Sequence, residues 1–78
     1  MRTEILNQIE KERERQDLKW GGPAHDDRHD ERDWLHYLEH QLFGYVRAST
    51  IWEGRARLLK LAALTVAVIE SIDRQEKK

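Results

Sequence analysis

Cysteine is absent from the 78 residues, and proline and methionine each occur once. The chain can therefore form neither a disulfide nor a thiolate metal site, although its length is near the lower limit for one independent domain. A domain this small without such crosslinks commonly depends on a partner subunit for stability. The lack of cysteine also fits a reducing, intracellular compartment.

Long apolar runs and an excess of one charge are also lacking. The longest apolar run, residues 61–69, is interrupted by Thr65 and is too short to cross a bilayer, and residues 1–4 contain no signal peptide. The 14 basic residues nearly balance the 15 acidic ones, which gives a formal net charge of −1. We therefore expect no membrane partner and no sequence-specific nucleic acid partner.

The apolar residues that remain follow a helical spacing, which predicts an all-α fold and one helical domain over residues 1–78. We expect three helices, over about residues 3–18, 31–48 and 51–74, and a functional loop over residues 19–30.

Three N-terminal cap signals support these bounds. Thr3 is the expected N-cap of the first helix, and Asp30 with Asp33 suits the start of the second. Thr50 with Glu53 matches the capping-box pattern before the third helix.

The third helix is apolar on most of its circumference over residues 58–72. A helix of this kind is buried on nearly all sides, and two other helices from one short chain cannot easily cover it. Homodimerisation into a larger helical bundle is the most economical way to bury it. Gly44, inside the second helix, further indicates the close approach of another backbone.

The face of the first helix that begins with Ile5 and Ile9 continues with Arg13, Gln16 and Trp20. The change from apolar to polar has two interpretations, a helix leaving the core for solvent or a polar wall that faces a cavity. Two glycines and the only proline follow, as Gly21-Gly22-Pro23, and they end the helix in a turn.

The residues around this turn suit a phosphate-bearing ligand. Glycines let a backbone approach a phosphate, and Arg13, Lys19 and Arg28 would neutralise its charge. The indole of Trp20 could stack a base. The spacing of a phosphate-binding P-loop is missing, and the alternative is that Trp20 closes the end of the helical bundle.

Carboxylates and imidazoles are concentrated in the next six residues, 25–30. These ligand types suit a divalent ion, and the candidate metal ligands are His25, Asp26, Asp27, His29 and Asp30. The pattern of a calcium-binding loop is missing, and acids in this position also serve as caps and turn formers.

Two further pairs have metal-ligand spacing and a simpler explanation. His36 and His40 stand four residues apart but lie off the apolar stripe, which favours a surface pair. Glu70 and Asp73 lie three apart at the end of a helix, which is a common chance arrangement.

Several segments together resemble small phage-encoded MazG-like proteins, over about residues 10–74. They are Arg15-Gln16-Asp17-Leu18-Lys19-Trp20-Gly21, His25-Asp26-Asp27, Asp33-Trp34 and the alanine-rich residues 61–70 followed by Asp73-Arg74. This resemblance implies an all-α, oligomeric relative of nucleoside triphosphate pyrophosphohydrolases. Such enzymes hold Mg²⁺ with an ExxE motif on one helix and an ExxD motif on another.

The chain departs from that pattern where the metal would be bound. Residues 39–45 read Glu-His-Gln-Leu-Phe-Gly-Tyr in place of paired glutamates, and no ExxE occurs anywhere in the chain. Glu70 and Asp73 follow the apolar helix rather than opening it. Metal-assisted hydrolysis needs several carboxylates, so the resemblance predicts the fold and nucleotide affinity without the hydrolysis.

The leading hypothesis is that the protein binds a nucleotide or nucleotide-derived signal without hydrolysing it. If the resemblance holds, it would do so in the cytoplasm of an infected bacterium, to counter host defence. The expected ligand-binding residues are Glu10, Arg13, Gln16, Asp17, Lys19, Trp20, Gly21, His25, Asp26, Asp27 and Trp34.

Two alternatives stay open. One is an inhibitor that blocks a host enzyme through a charged and aromatic surface, formed by Tyr45, Arg47, Trp52, Arg55 and Arg57. The other is an active Mg²⁺-dependent pyrophosphohydrolase whose metal site is rebuilt from residues 25–30.

Overall fold

The computed structural model describes residues 1–76, which form four helices and no strand. They are α1 (Arg2–Trp20), α2 (Pro23–Asp26), α3 (Glu31–Val46) and α4 (Ile51–Glu76). The prediction of an all-α fold is confirmed. The last two residues of the expected domain, 77 and 78, lie outside the described residues.

The prediction of three helices missed α2, which lies inside the expected loop 19–30. Pro23 occupies the first turn of α2, where its fixed φ favours a helix and its missing N–H costs nothing. Gly21 and Gly22 make the sharp turn before it, with φ values of +106° and +70°. These angles lie in the left-handed region that glycine adopts without strain, so the turn depends on both residues.

The N-terminal caps of α3 and α4 form largely as expected. Asp33 N donates to Asp30 Oδ1 (2.9 Å), and Asp30 N donates to Asp33 Oδ2 (3.0 Å), so the capping box of α3 is complete. Glu53 N donates to Thr50 Oγ1 (3.1 Å). The carboxylate of Glu53 accepts from Ser49 N, one residue before the expected donor, at 3.0 Å.

The expectation that Thr3 caps α1 is wrong. Thr3 lies inside the helix, which already begins at Arg2. Met1 takes the cap position without a side-chain hydrogen bond, and its carbonyl accepts from Ile5 N at 3.1 Å. The other helix ends differ from the expected ones by at most two residues, which is the usual uncertainty of a fraying end.

Helix α4 is the centre of the fold. Helices α1 and α3 both pack along it and α2 packs near its end, whereas contacts between α1 and α3 are sparse. The contact face of α4 carries small residues that let the other helices approach closely, and Gly54, Ala63, Ala67 and Ser71 are all buried there. Because α1 and α3 stand apart over one face of α4, an open cleft separates them.

The hydrophobic core of this arrangement is small. Within residues 1–76, the only buried hydrophobic residues are Trp34, Ala63 and Ala67. The opposite face of α4 is apolar but uncovered, with Val66, Ile69 and Ile72 exposed by 38%, 53% and 52%. None of the helices in this part of the chain combines the length and apolar character that a membrane crossing requires.

Gly44 was expected to allow the close approach of another backbone, and this expectation is wrong. The group that approaches Gly44 is the side chain of Arg57. A Cβ at this position would lie 2.8 Å from both Cδ and Nε of Arg57 on α4. Arg57 therefore lies flat across α3 because Gly44 has no side chain.

Candidate ligand-binding cleft

The cleft between α1 and α3 has a volume of about 420 Å³, within the range typical of small-molecule sites. Helix α2 closes one end of it, and α4 forms the floor through Lys60, Leu64 and Ala67. Its other lining residues are Arg13, Arg15, Gln16, Lys19, Trp20, His25, Asp26, His29, Trp34, His36, Tyr37, His40 and Gln41.

Aromatic rings form a continuous ladder from α1 through α2 to α3 at one end of the cleft. The ring of His25 is stacked with Trp20 (centroids 6.0 Å apart), and its edge meets His29 at 4.5 Å. The ring of His29 in turn is stacked with Trp34 at 4.8 Å and meets Tyr37 at 5.2 Å. A planar heterocycle can stack on such a ladder because every base has a π-face.

Cations lie beside the ladder. The ammonium of Lys19 is 4.9 Å from the centre of the Trp20 ring, and Lys60 rises from the floor of the cleft. Arg15 pairs with Glu12 at 2.6 Å but remains half-exposed. This hydrogen bond is the main reason that the pKa of Glu12 is lowered, and the nearby charge of Lys60 lowers it further. Within residues 1–76, neither Lys19 nor Lys60 forms a direct ion pair with a carboxylate.

Gln16 supplies a buried polar group to the cleft. The residue is only 6% exposed, and its Nε2 donates to Glu12 Oε2 at 3.3 Å. An ionised carboxylate only accepts hydrogen bonds, so Glu12 sets which end of the amide faces it. The carbonyl Oε1 of Gln16 is buried and accepts no hydrogen bond within residues 1–76, so it is an unsatisfied acceptor beside the cleft.

Arg13 has a structural role that its position in the sequence does not reveal. Its guanidinium lies 2.7 Å from Asp17 Oδ1 and 3.4 Å from Glu70 Oε1, and it also pairs with the buried carboxylate of Asp26. Three carboxylates around one guanidinium leave no net positive charge for a phosphate. Arg13 instead joins α1 to α2 and α4.

Asp27 is similarly engaged, outside the cleft. Its Oδ1 accepts from Arg74 Nη2 at 2.7 Å and from Ser71 Oγ at 2.9 Å. The hydrogen bond to Asp27 raises the pKa of Arg74. Arg28, expected to bind phosphate, donates from Nε to the Ala24 carbonyl at 3.2 Å and does not line the cleft.

The structure does not assemble the expected metal ligands of residues 25–30 into a metal site. Asp26 and Asp27 are held by arginines, and Asp30 caps α3. Throughout residues 1–76, no three His, Asp or Glu side chains form a group that could hold a metal ion. The Glu70 carboxylate contacts Arg13.

Of the eleven residues expected to bind ligand, the cleft brings together Arg13, Gln16, Lys19, Trp20, His25, Asp26 and Trp34. The other four, Glu10, Asp17, Gly21 and Asp27, do not line it. The sequence reasoning missed Arg15, His36, Tyr37, His40, Gln41 and Lys60. His36 and His40 are both exposed, in agreement with the prediction of a surface pair, and they also line the cleft.

Most of the surface expected for protein inhibition is exposed, although several of its residues also make contacts within the chain. Arg55 donates to Gln8 at 2.8 Å, and Arg57 donates to Gln41 at 3.2 Å. The ring of Tyr45 packs over Gly54. Trp52, which is 71% exposed, is the aromatic residue of this set that projects most freely.

Comparison of the chain with protein-family models, with curated proteins and with solved structures finds no match. The function is therefore inferred from the cleft and the sequence.

Proposed function

We propose that this protein binds a nucleotide or a nucleotide-derived molecule in the cleft without hydrolysing it. The observation that carries the proposal is the juxtaposition of an aromatic ladder with two lysines, Lys19 and Lys60, that form no direct ion pair in residues 1–76. A nucleotide has the matching chemistry, since it joins a flat heterocycle to an anionic phosphate.

The cleft residues divide between the two parts of such a ligand. The base would stack against Trp20 or Tyr37, and the phosphate would lie toward Lys19 and Lys60. Four histidines also line the cleft, at positions 25, 29, 36 and 40, and they comprise every histidine in the chain. Their ring N–H groups can donate to phosphate or ribose oxygens.

Binding without hydrolysis agrees with the ion pairs that the acidic residues of this region form within the protein. Metal-assisted hydrolysis requires carboxylates that can hold an ion and orient water. Asp26 and Asp27 are instead bonded to arginines on other helices. The resemblance to MazG-like phage proteins points to the same ligand class, and sequestering a host signal is the use that we propose for it.

A thermal-unfolding screen against nucleoside mono-, di- and triphosphates, with and without Mg²⁺, tests the proposal. A ligand at 100 times its Kd stabilises the folded state by about 2.7 kcal/mol. In a domain of this size that corresponds to a rise in Tm on the order of 10 °C or more. We expect such a rise without nucleotide turnover, and turnover would instead favour the hydrolase alternative.

Two tryptophan variants locate the binding site. Trp20→Ala should abolish most of the rise in Tm, because Trp20 lines the cleft. Trp52→Ala is the matched control, since Trp52 is 71% exposed and does not line the cleft. The proposed function would be contradicted if no nucleotide raised the Tm of the wild type. It would also be contradicted if both variants lost the nucleotide-induced rise in Tm to the same extent.

We also propose that the protein is a homodimer that buries the outer face of α4. Leu58, Val66, Ile69 and Ile72 recur at helical spacing on this face, and each is more than a third exposed. Exposed apolar faces of this kind mark interaction surfaces, and the small core of the monomer gives a second reason for association.

Light scattering after size-exclusion chromatography tests the dimer. We expect twice the mass of the 9.4 kDa chain, and Ile69→Asp should shift the protein to the monomer. Leu18→Asp is the control, because Leu18 is an exposed apolar residue (89%) of another helix, α1. A wild-type monomer at micromolar concentration would contradict the proposed dimer and leave the nucleotide site unaffected.

A further inference from the structure

A second cavity continues the groove between α3 and α4 beyond the cleft. It has a volume of about 460 Å³, and His40 lines both it and the cleft. Its other lining residues are Phe43, Gly44, Arg47, Ala48, Glu53, Ala56 and Arg57. The two cavities also meet where Arg57 Nη1 donates to Gln41 Oε1 at 3.2 Å, because Gln41 lines the cleft and Arg57 lines the second cavity.

We propose that the ligand is at least a dinucleotide, and that Arg57 and Arg47 bind its second phosphate in the second cavity. This proposal rests on the proposed function, since it extends the ligand of the cleft along the same groove.

Arg57 is held in place for this role by two features of α3. The absence of a side chain at Gly44 lets the arginine lie across the helix. The hydrogen bond to Gln41 then uses one of five N–H donors, and the rest of the guanidinium fork can bind an anion. Arginine is the side chain best suited to bidentate phosphate binding.

Arg47 supplies the second charge. Its guanidinium carbon lies 5.9 Å from the centre of the Phe43 ring, which holds the side chain against the wall of the cavity. The one acid of the cavity, Glu53, accepts a hydrogen bond from Ser49 N at the start of α4. Two arginines against one carboxylate leave this end of the groove positive.

The length of the groove also fits more than one nucleotide. From Tyr37 in the cleft to Gln41, whose side chain accepts from Arg57, α3 rises by about 6 Å. Stacked nucleotides advance by about 3.4 Å per residue of one strand, so this rise corresponds to about two nucleotides. A base on the ladder and a second phosphate at Arg57 can therefore belong to one short chain.

Calorimetry tests the proposal with the four ribonucleoside 5′-monophosphates and the matching 5′-phosphorylated dinucleotides pApA, pGpG, pCpC and pUpU. For at least one base, the dinucleotide should bind about ten- to a hundredfold more tightly than the mononucleotide, as expected for added charged hydrogen bonds. Arg57→Met should remove this advantage and leave mononucleotide affinity unchanged.

Two further variants distinguish a phosphate contact from a defect in folding. Gly44→Ala should also reduce the advantage, because its Cβ displaces Arg57 while alanine favours the helix. Arg32→Met is the control, since Arg32 is an exposed arginine of α3 that lines neither cavity.

Dinucleotides that bind no more tightly than mononucleotides would overturn this proposal and leave the proposed function intact. Equal weakening of both ligands by Arg57→Met would also overturn it, because Arg57 would then act on the cleft itself. The absence of binding by any of the eight probes would overturn this proposal, whereas the proposed function is decided by the thermal-unfolding screen, which also contains nucleoside di- and triphosphates.

Discussion

Arg74 on α4 donates two parallel hydrogen bonds to Asp27, from Nη2 to Oδ1 at 2.7 Å and from Nε to Oδ2 at 3.0 Å. The same carboxylate accepts from Ser71 Oγ, one turn earlier on α4. The bidentate pair docks the segment after α2 on the central helix. Since that segment carries His29 and follows His25, one wall of the cleft depends on this contact.

Asp27→Ala should therefore lower stability. Hydrogen bonds to charged groups contribute about 1.5–3 kcal/mol each, and solvent reduces that value here because the pair is one-third exposed. We expect a loss of about 1–2 kcal/mol and a fall in Tm of about 4–16 °C by thermal unfolding. Asp73→Ala, at an exposed position of α4, is the control. Equal Tm values for the two variants would show that the ion pair does not hold the segment.

Arg13→Met tests whether this arginine is structural or binds phosphate. Removing the guanidinium leaves Asp26, only 6% exposed, without its cation. Removing one partner of a buried ion pair costs about 3–5 kcal/mol, so chemical denaturation should show a large loss in the free energy of unfolding. Adding Asp26→Leu should restore much of it, because no buried charge then remains. Wild-type stability with lost nucleotide affinity would assign Arg13 to the ligand instead.

Gln16→Leu should weaken nucleotide binding without lowering the stability of the free protein. The substitution removes a buried acceptor that has no donor, so the free protein should unfold at the same or a slightly higher denaturant concentration. Nucleotide affinity, measured by calorimetry, should fall by about tenfold if a ligand N–H group bonds to Oε1. Unchanged affinity would show that Gln16 does not contact the ligand.

The pair between Glu12 and Arg15 predicts a pH dependence. The hydrogen bond from Arg15 lowers the pKa of Glu12 below its ordinary value of 4.5. The pair should therefore stabilise the fold fully above about pH 4.5 and progressively less as the pH falls through the lowered value. Exposed pairs of this type contribute less than about 1 kcal/mol, so the effect is small.

Glu12→Gln provides the measurement of this effect. The difference in free energy of unfolding between wild type and variant should be constant near neutral pH and shrink in acid. A difference that grew as the pH fell would contradict the assigned direction.

Local signals in the sequence are sufficient to predict the three long helices and the turn. The reciprocal capping of Asp30 and Asp33 involves residues three apart, and the turn at Gly21 and Gly22 depends on glycine alone. Helix α2 was missed because four residues are too few to show a helical period.

The partners of the charged side chains could not be predicted in the same way. Arg13 and Glu70 are 57 residues apart, and Asp27 and Arg74 are 47 apart, so no local pattern links them. The position of His36 and His40 off the apolar stripe predicts surface residues, and both are exposed, but it does not predict a cleft beside them. They line the cleft because α1 stands away from α3, which is a property of the packing on α4.

The most direct test of the nucleotide site is to follow the histidine ring signals by NMR during a nucleotide titration. All four histidines of the chain line the cleft, whereas Trp52 does not. We predict saturable shifts of the four imidazole signals, with the Trp52 indole signal unchanged. Histidine signals that stay constant while the protein binds the nucleotide would place the site elsewhere and contradict the account.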